Sequence, residues 1–177
     1  MFSIEKCQVQ ADTLLQKYAE NGSYVDCYST EVPEQISFPE YVFAFYTTPL
    51  FKLERLILRL TVSKPSTDIE ARQLADCVSD RFAAWDVEGR GENEILMCDF
   101  QGRTRSWLMV TSVSTVRGVR TRLYFGSAVV PVRKSKSGKA SLGFGVQALL
   151  GFHKIYSVLL LYSAKSRMKN QVFNKES

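Results

Sequence analysis

Residues 82–132 read FAAWDVEGRGENEILMCDFQGRTRSWLMVTSVSTVRGVRTRLYFGSAVVPV. Four segments within this stretch are rich in β-branched and aromatic residues: Phe82–Glu88, Glu94–Phe100, Thr104–Ser114 and Val119–Val132. Short glycine-containing links separate them: Gly89-Arg90-Gly91-Glu92-Asn93, Gln101-Gly102-Arg103 and Val116-Arg117-Gly118. Links this short join antiparallel neighbours, so the stretch predicts a four-stranded meander.

Downstream, Arg133-Lys134-Ser135-Lys136-Ser137-Gly138-Lys139 reads as a basic loop. Leu142 to about Met168 then reads as one helix, roughly 40 Å long at the standard rise. Leu149, Phe152, Tyr156, Leu159, Leu160 and Ser163 share one of its faces. Lys165, Arg167 and Lys169 stand near its C-terminus, where the helix dipole favours cations. The part from Leu142 to Ala164 is long enough to span a bilayer. Lys154 lies near its middle, however, where a charge is costly. The meander also needs an apolar cover for one face. Both points favour a core helix over a membrane span.

Upstream, Ser23–Thr30 alternates weakly and predicts a first strand. Helical spacing follows from Pro39 through Tyr41, Val42, Phe45 and Tyr46, and Pro49 opens a second helix. Its expected apolar face is Leu50, Leu53, Leu56, Ile57 and Leu60, with Lys52, Glu54, Arg55 and Arg59 largely off it. Asp68 is placed to cap a short third helix through Ala75. The expected organisation is a peripheral segment over 1–22, with two helical turns around Asp12–Tyr18, one domain over 23–170 and a frayed tail over 171–177. The fold class is α+β. An antiparallel meander of about five strands surrounds a long C-terminal helix, with two or three short helices between strands 1 and 2.

The chain has 177 residues, 45% apolar and 23% charged, which suits one globular domain. Its N-terminus shows no apolar run after positive charge, so a cytoplasmic location is expected. Cys7, Cys27, Cys77 and Cys98 lack the close spacing of a metal or redox motif, and the thiols are expected to be buried or idle. Net charge is +5, unevenly spread. Residues 1–116 carry 11 Lys/Arg and 17 Asp/Glu, whereas residues 117–177 carry 12 Lys/Arg and one acid, Glu176. Such asymmetry marks either an anionic partner or a solvated face.

Several segments resemble an uncharacterised bacterial family of unknown function. They are Tyr24-Val25-Asp26-Cys27-Tyr28, Phe43-Ala44-Phe45-Tyr46-Thr47-Thr48-Pro49, Leu53–Leu60, Ser127-Ala128-Val129-Val130 and Gly151-Phe152-His153-Lys154-Ile155-Tyr156-Ser157-Val158-Leu159-Leu160. That family is similar to START-type and birch-pollen-allergen-type (SRPBCC-like) helix-grip domains, in which a curved sheet wraps a long final helix. Gly151 stands where its pattern has proline. The resemblance implies a fold with a ligand cavity between sheet and helix, and it implies no reaction.

The chain holds one histidine, His153, so any triad would run through it. Gly126-Ser127-Ala128 lacks the nucleophile elbow, and no phosphate-binding glycine loop is present. No metal site or cofactor is expected. His153 is either a hydrogen-bonded helix residue or a contact or general base in the cavity. Arg105 and Arg122 either pair with acids such as Asp86, Glu88 and Asp99, or hold the carboxylate or phosphate head of an apolar ligand. Alternation puts Arg105, Trp107, Met109 and Thr111 on one face, and Arg120, Arg122, Tyr124 and Gly126 on one face. Leu108/Val110 and Leu123/Phe125 compete for the inward role, so the face meeting the helix stays open. Trp85, Trp107, Tyr124 and Tyr156 are candidate lining residues, with Phe125 among the large apolar groups. No RNP-like motif accompanies the basic residues, which argues against nucleic acid. The expected function is binding of a small, largely apolar or amphipathic molecule. The alternatives are a cofactor-free cyclase, isomerase or hydrolase using His153, and a peripheral module meeting an anionic membrane or partner through the basic C-terminal third.

Overall fold

The computed structural model describes residues 4–62, 65–116, 118–130 and 155–168, with the side chains of 57–62 excepted. The fold is α+β. Among the described residues, seven strands form one open antiparallel sheet: β1 (Glu5–Lys6), β2 (Tyr24–Val32), β3 (Arg81–Phe82), β4 (Trp85–Arg90), β5 (Glu94–Asp99), β6 (Thr104–Thr115) and β7 (Gly118–Val129). Their spatial order is β1-β2-β7-β6-β5-β4-β3. The meander from β4 to β7 lies where the glycine links place it. The expectation of about five strands is corrected to seven, because β1 and β3 have two residues each, too few to show a period. The long β6–β7 hairpin turns at Gly118, whose φ of +112° suits a residue without a Cβ. β2 returns to pair with β7 over its whole length, Tyr24 opposite Val129 and Val32 opposite Thr121.

The helices are α1 (Gln16–Glu20), α2 (Phe38–Tyr46), α3 (Pro49–Val62), α4 (Asp68–Ala75) and α5 (155–168). Three of them connect β2 to β3. Ser37 caps α2 in a reciprocal pair with Glu40, placing Pro39 inside the first turn. Thr67, one residue before the expected Asp68, caps α4 in the same way with Glu70. Asp68 is thereby free for ion pairs with Lys52 and Arg55, each at 2.6 Å. Of the long helix expected over 142–168, residues 142–154 lie outside the described ones. The Arg133–Lys139 loop and the tail over 171–177 do too. No helix among the described residues is long and apolar enough to cross a membrane.

Strand alternation divides the buried residues into two cores. On one face, Tyr28, Val32, Ile95, Met97, Leu108, Val110, Leu123 and Phe125 meet α2, α4 and α5. Phe45 anchors this core, with its ring centroid 5.0 Å from Phe125, 5.2 Å from Tyr46 and 6.1 Å from Phe51. Tyr41 Oη donates to the Tyr124 carbonyl at 2.9 Å and fixes α2 on β7. On the other face, Cys27, Leu96, Trp107, Met109, Tyr124 and Ala128 are covered by Leu15 and Tyr18 of the N-terminal segment. Gly126 makes that cover fit. A Cβ there would stand 2.5 Å from Leu15 Cδ2 and 3.0 Å from the Trp107 ring.

The buried face of α3 departs from its apolar pattern. Phe51 and Arg55 are buried, whereas Leu53 and Leu56 are about half exposed. The reason is electrostatic and local. Arg55 donates to Asp68, to Ser66 Oγ at 2.9 Å and to the Ser66 carbonyl, and it lies over the Phe82 ring. Those partners stand on the domain side of the helix, and a bound guanidinium there outweighs two leucines. The side chains of Ile57 and Leu60 are outside the described ones.

Candidate functional site

Most inward-facing positions on the sheet are apolar, and one row stands out as polar. Asp26 on β2, Ser127 on β7 and Ser106 on β6 stand directly opposite one another and share the helix-covered face. All three are buried, and Ser127 Oγ donates to Asp26 Oδ1. The next position on the same face of β6, two residues along, is Thr104. At the far end of β2, Lys165 Nζ of α5 donates to the buried Thr30 Oγ1 at 2.6 Å. This buried hydrogen bond ties the helix to the sheet.

Among the described residues, the helices leave space beside this row. A cavity of ≈ 240 Å³ opens between the sheet and the helices. Phe45 of α2, Phe51 of α3, Trp85 of β4, Phe125 of β7 and Leu160 of α5 wall it, with Ser106 and Ser127 on its floor. Glu54 and Tyr156 supply its polar edge. Tyr156 Oη donates to Glu54 Oε2, joining α5 to α3 across the cavity. Burial pushes the Glu54 carboxyl above the usual carboxylate range, while hydrogen bonds from Tyr156 and Trp85 pull the other way. Burial and the neighbouring Glu54 charge push the Tyr156 phenol up as well, so it stays a donor. Asp99 also borders the cavity, but its Oδ1 already accepts from the Arg103 and Thr104 amides at 2.7 and 3.0 Å.

The raised carboxyl makes a prediction about pH. A carboxyl with a raised folded-state pKa favours folding while protonated, and that contribution is lost as pH rises through the raised value. Glu54→Gln keeps an acceptor for Tyr156 without the charge. Thermal melts across pH should show the variant more stable than the parent at neutral pH, with the gain shrinking as pH falls from the raised value down to the ordinary carboxylate range. A constant difference at every pH would contradict a buried, ionisable Glu54.

The sequence-predicted residues fall into three groups. Trp85, Arg105 and Tyr156 border the cavity. The Arg105 guanidinium, however, turns to the outer face, where it donates to Glu88 Oε2 at 2.8 Å, Tyr18 Oη at 2.9 Å and the Gly102 carbonyl. Trp107, Arg122 and Tyr124 lie on that outer face too. Trp107 Nε1 donates to Glu94 at 2.7 Å, Tyr124 Oη accepts from Gln10 at 2.8 Å, and Arg122 pairs with Glu31 at 2.6 Å. His153 lies outside the described residues. Sequence reasoning does not single out Glu54, Phe45, Phe51 or Ser106 as site residues, and it takes up Ser127 only to set it aside as a nucleophile. Ser106 and Ser127 did carry a signal: they are small polar residues in phase with the apolar positions Leu108 and Phe125. For Glu54 there was none, because an acid on a half-exposed helix reads as solvated.

Among the described residues, no group of three or more His, Cys, Asp or Glu side chains could hold a metal ion. No family model, curated protein or solved structure matches the chain.

Proposed function

We propose that the protein is a helix-grip binding domain that holds a small, largely apolar molecule between the inner face of its sheet and α5. The observation that carries this reading is the cavity itself, walled by aromatic rings and edged by a few convergent polar groups, the composition usual for small-molecule sites. A dry cavity of roughly 150 Å³ accepts benzene, so the present one has room for a somewhat larger molecule. The order of elements supports the helix-grip assignment: a strand, three helices, a meander paired back to that strand, and a final helix.

The polarity of the cavity narrows the ligand. The ionisable groups at its edge are Glu54, Asp99, Tyr156 and Arg105, and the only cation among these described residues is committed to Glu88 on the far face. A carboxylate or phosphate head would be buried without a counter-ion, which is costly. A hydroxyl or amine head would instead donate to Glu54. Titrated at neutral pH with octanol, octylamine and octanoate, the protein should favour the first two over the last by about tenfold or more, the equivalent of about 1.4 kcal/mol. Preference for octanoate would overturn the head-group assignment. Binding of none, by protein that native mass spectrometry shows to be empty, would remove the carrier reading. The readings built on His153 or on the Arg133–Lys139 loop rest on residues outside the described ones.

A further inference from the structure

β1 runs antiparallel to β2, with Glu5 opposite Ser29 and Lys6 opposite Tyr28. The next pair in that register is Cys7 opposite Cys27, and the Cys7 amide donates to the Cys27 carbonyl at 2.9 Å. Their Sγ atoms are 2.7 Å apart. Hydrogen-bonded pairs on antiparallel strands have Cα atoms about 5.5 Å apart, inside the range of about 4.4–6.8 Å that disulfides require. The register and the sulfur separation therefore both suit a disulfide. Cys77 and Cys98 are different: Cys77 is exposed beside Arg90, and the Cys98 thiol donates to the Asp99 carbonyl.

We propose that Cys7 and Cys27 form a reversible dithiol/disulfide site that staples the N-terminal segment to the outer face of the sheet. The oxidant is a low-molecular-weight disulfide of the glutathione class. Cys7 is partly exposed and Cys27 is buried, so Cys7 is the thiol such a molecule reaches first. The Cys27 hydrogen bond lowers the Cys7 thiol's pKa, whereas that bond and burial raise the Cys27 thiol's. The Cys7 thiolate attacks one sulfur of the oxidant and forms a mixed disulfide, releasing one thiol. Cys27 then loses its proton and attacks Cys7 Sγ, releasing the second. Two protein thiols are oxidised and one small disulfide is reduced to two thiols. The loop closed by the bond contains α1 and Leu15, so oxidation fastens the segment that fills the space over Gly126 and Trp107.

The full chain is equilibrated with reduced and oxidised glutathione, free thiols are alkylated, and the peptides are mapped by mass spectrometry. The expected result is a Cys7–Cys27 cross-linked peptide, with Cys77 and Cys98 alkylated or singly glutathionylated. The oxidised protein should melt higher than the reduced one by about 5–10 °C, and Cys27→Ala should stop at glutathione on Cys7. Recovery of Cys7 and Cys27 as free thiols at a poise that modifies Cys77 would overturn the proposal. So would separate glutathione adducts on both in the wild-type chain.

Discussion

Phe45→Ala should lower the unfolding free energy by about 3–5 kcal/mol, read from urea denaturation followed by Trp85 and Trp107 fluorescence. Phe45 is wholly buried and touches both layers of the domain. Its ring meets Tyr41, Tyr46 and Phe51 on the helical side and Phe125 on the sheet. Each contact adds edge or tilted ring attraction to the area buried. Rigid α2 and a hydrogen-bonded sheet cannot collapse into the space left behind, so the void term is large. Phe45 also walls the cavity, and its loss enlarges that cavity by most of a benzene ring. A neutral aromatic molecule should therefore restore part of the lost stability in this variant, by linkage to the folded state. A cost below about 1 kcal/mol, in the range of ordinary surface changes, would show that the inner core is not organised around this ring.

Leu15→Ala should cost about 2–5 kcal/mol, although Leu15 stands in a segment that reads as peripheral. Its side chain is wholly buried against Trp107 and Gly126. A second hold on the segment comes from Glu94, whose Oε2 accepts from the Leu14 amide at 3.0 Å and from Trp107 at 2.7 Å. The reciprocal change tests the same contact from the other side. Gly126→Val drives a Cβ into Leu15 and should cost about 1–3 kcal/mol by overpacking. In the Leu15→Ala background that cost should shrink, a coupling that a double-mutant cycle measures. Leu15→Ala within about 0.5 kcal/mol of the parent would mean that residues 4–20 are not part of the cooperative fold.

These two residues illustrate what the chain discloses in advance. The meander was legible because its turns are marked by glycine and its strands by alternation. Pro39, Pro49 and Asp68 likewise mark three helix starts to within a residue or so, through backbone chemistry that acts locally. The facing of those elements was harder, because it is decided between distant segments. β6 carries large residues on both faces, Trp107 and Met109 against Leu108 and Val110, since both faces are covered. Alternation alone cannot rank two apolar faces. The covering of the outer face by Leu15 and Tyr18 also explains why Arg105 turns away from the cavity: Glu88 and Tyr18 await it there. For α3 the apolar stripe misled, because Arg55 and Glu54 found partners toward the interior that no periodicity announces. The Cys7–Cys27 approach depends on the register of a two-residue strand, which lies below the length at which patterning speaks.

The measurement that bears most directly on the central claim is a fluorescence titration with phenylnaphthylamine, a neutral aromatic amine, on the parent and on Ser106→Phe. Ser106 is buried on the inward face of β6 and lines the cavity, so a phenyl ring there occupies the proposed binding volume. Circular dichroism first establishes that the variant is folded. The account predicts saturable fluorescence enhancement at one molecule per chain in the parent and its loss in Ser106→Phe. Equal enhancement in both proteins would place the probe elsewhere and contradict a ligand site between the sheet and α5.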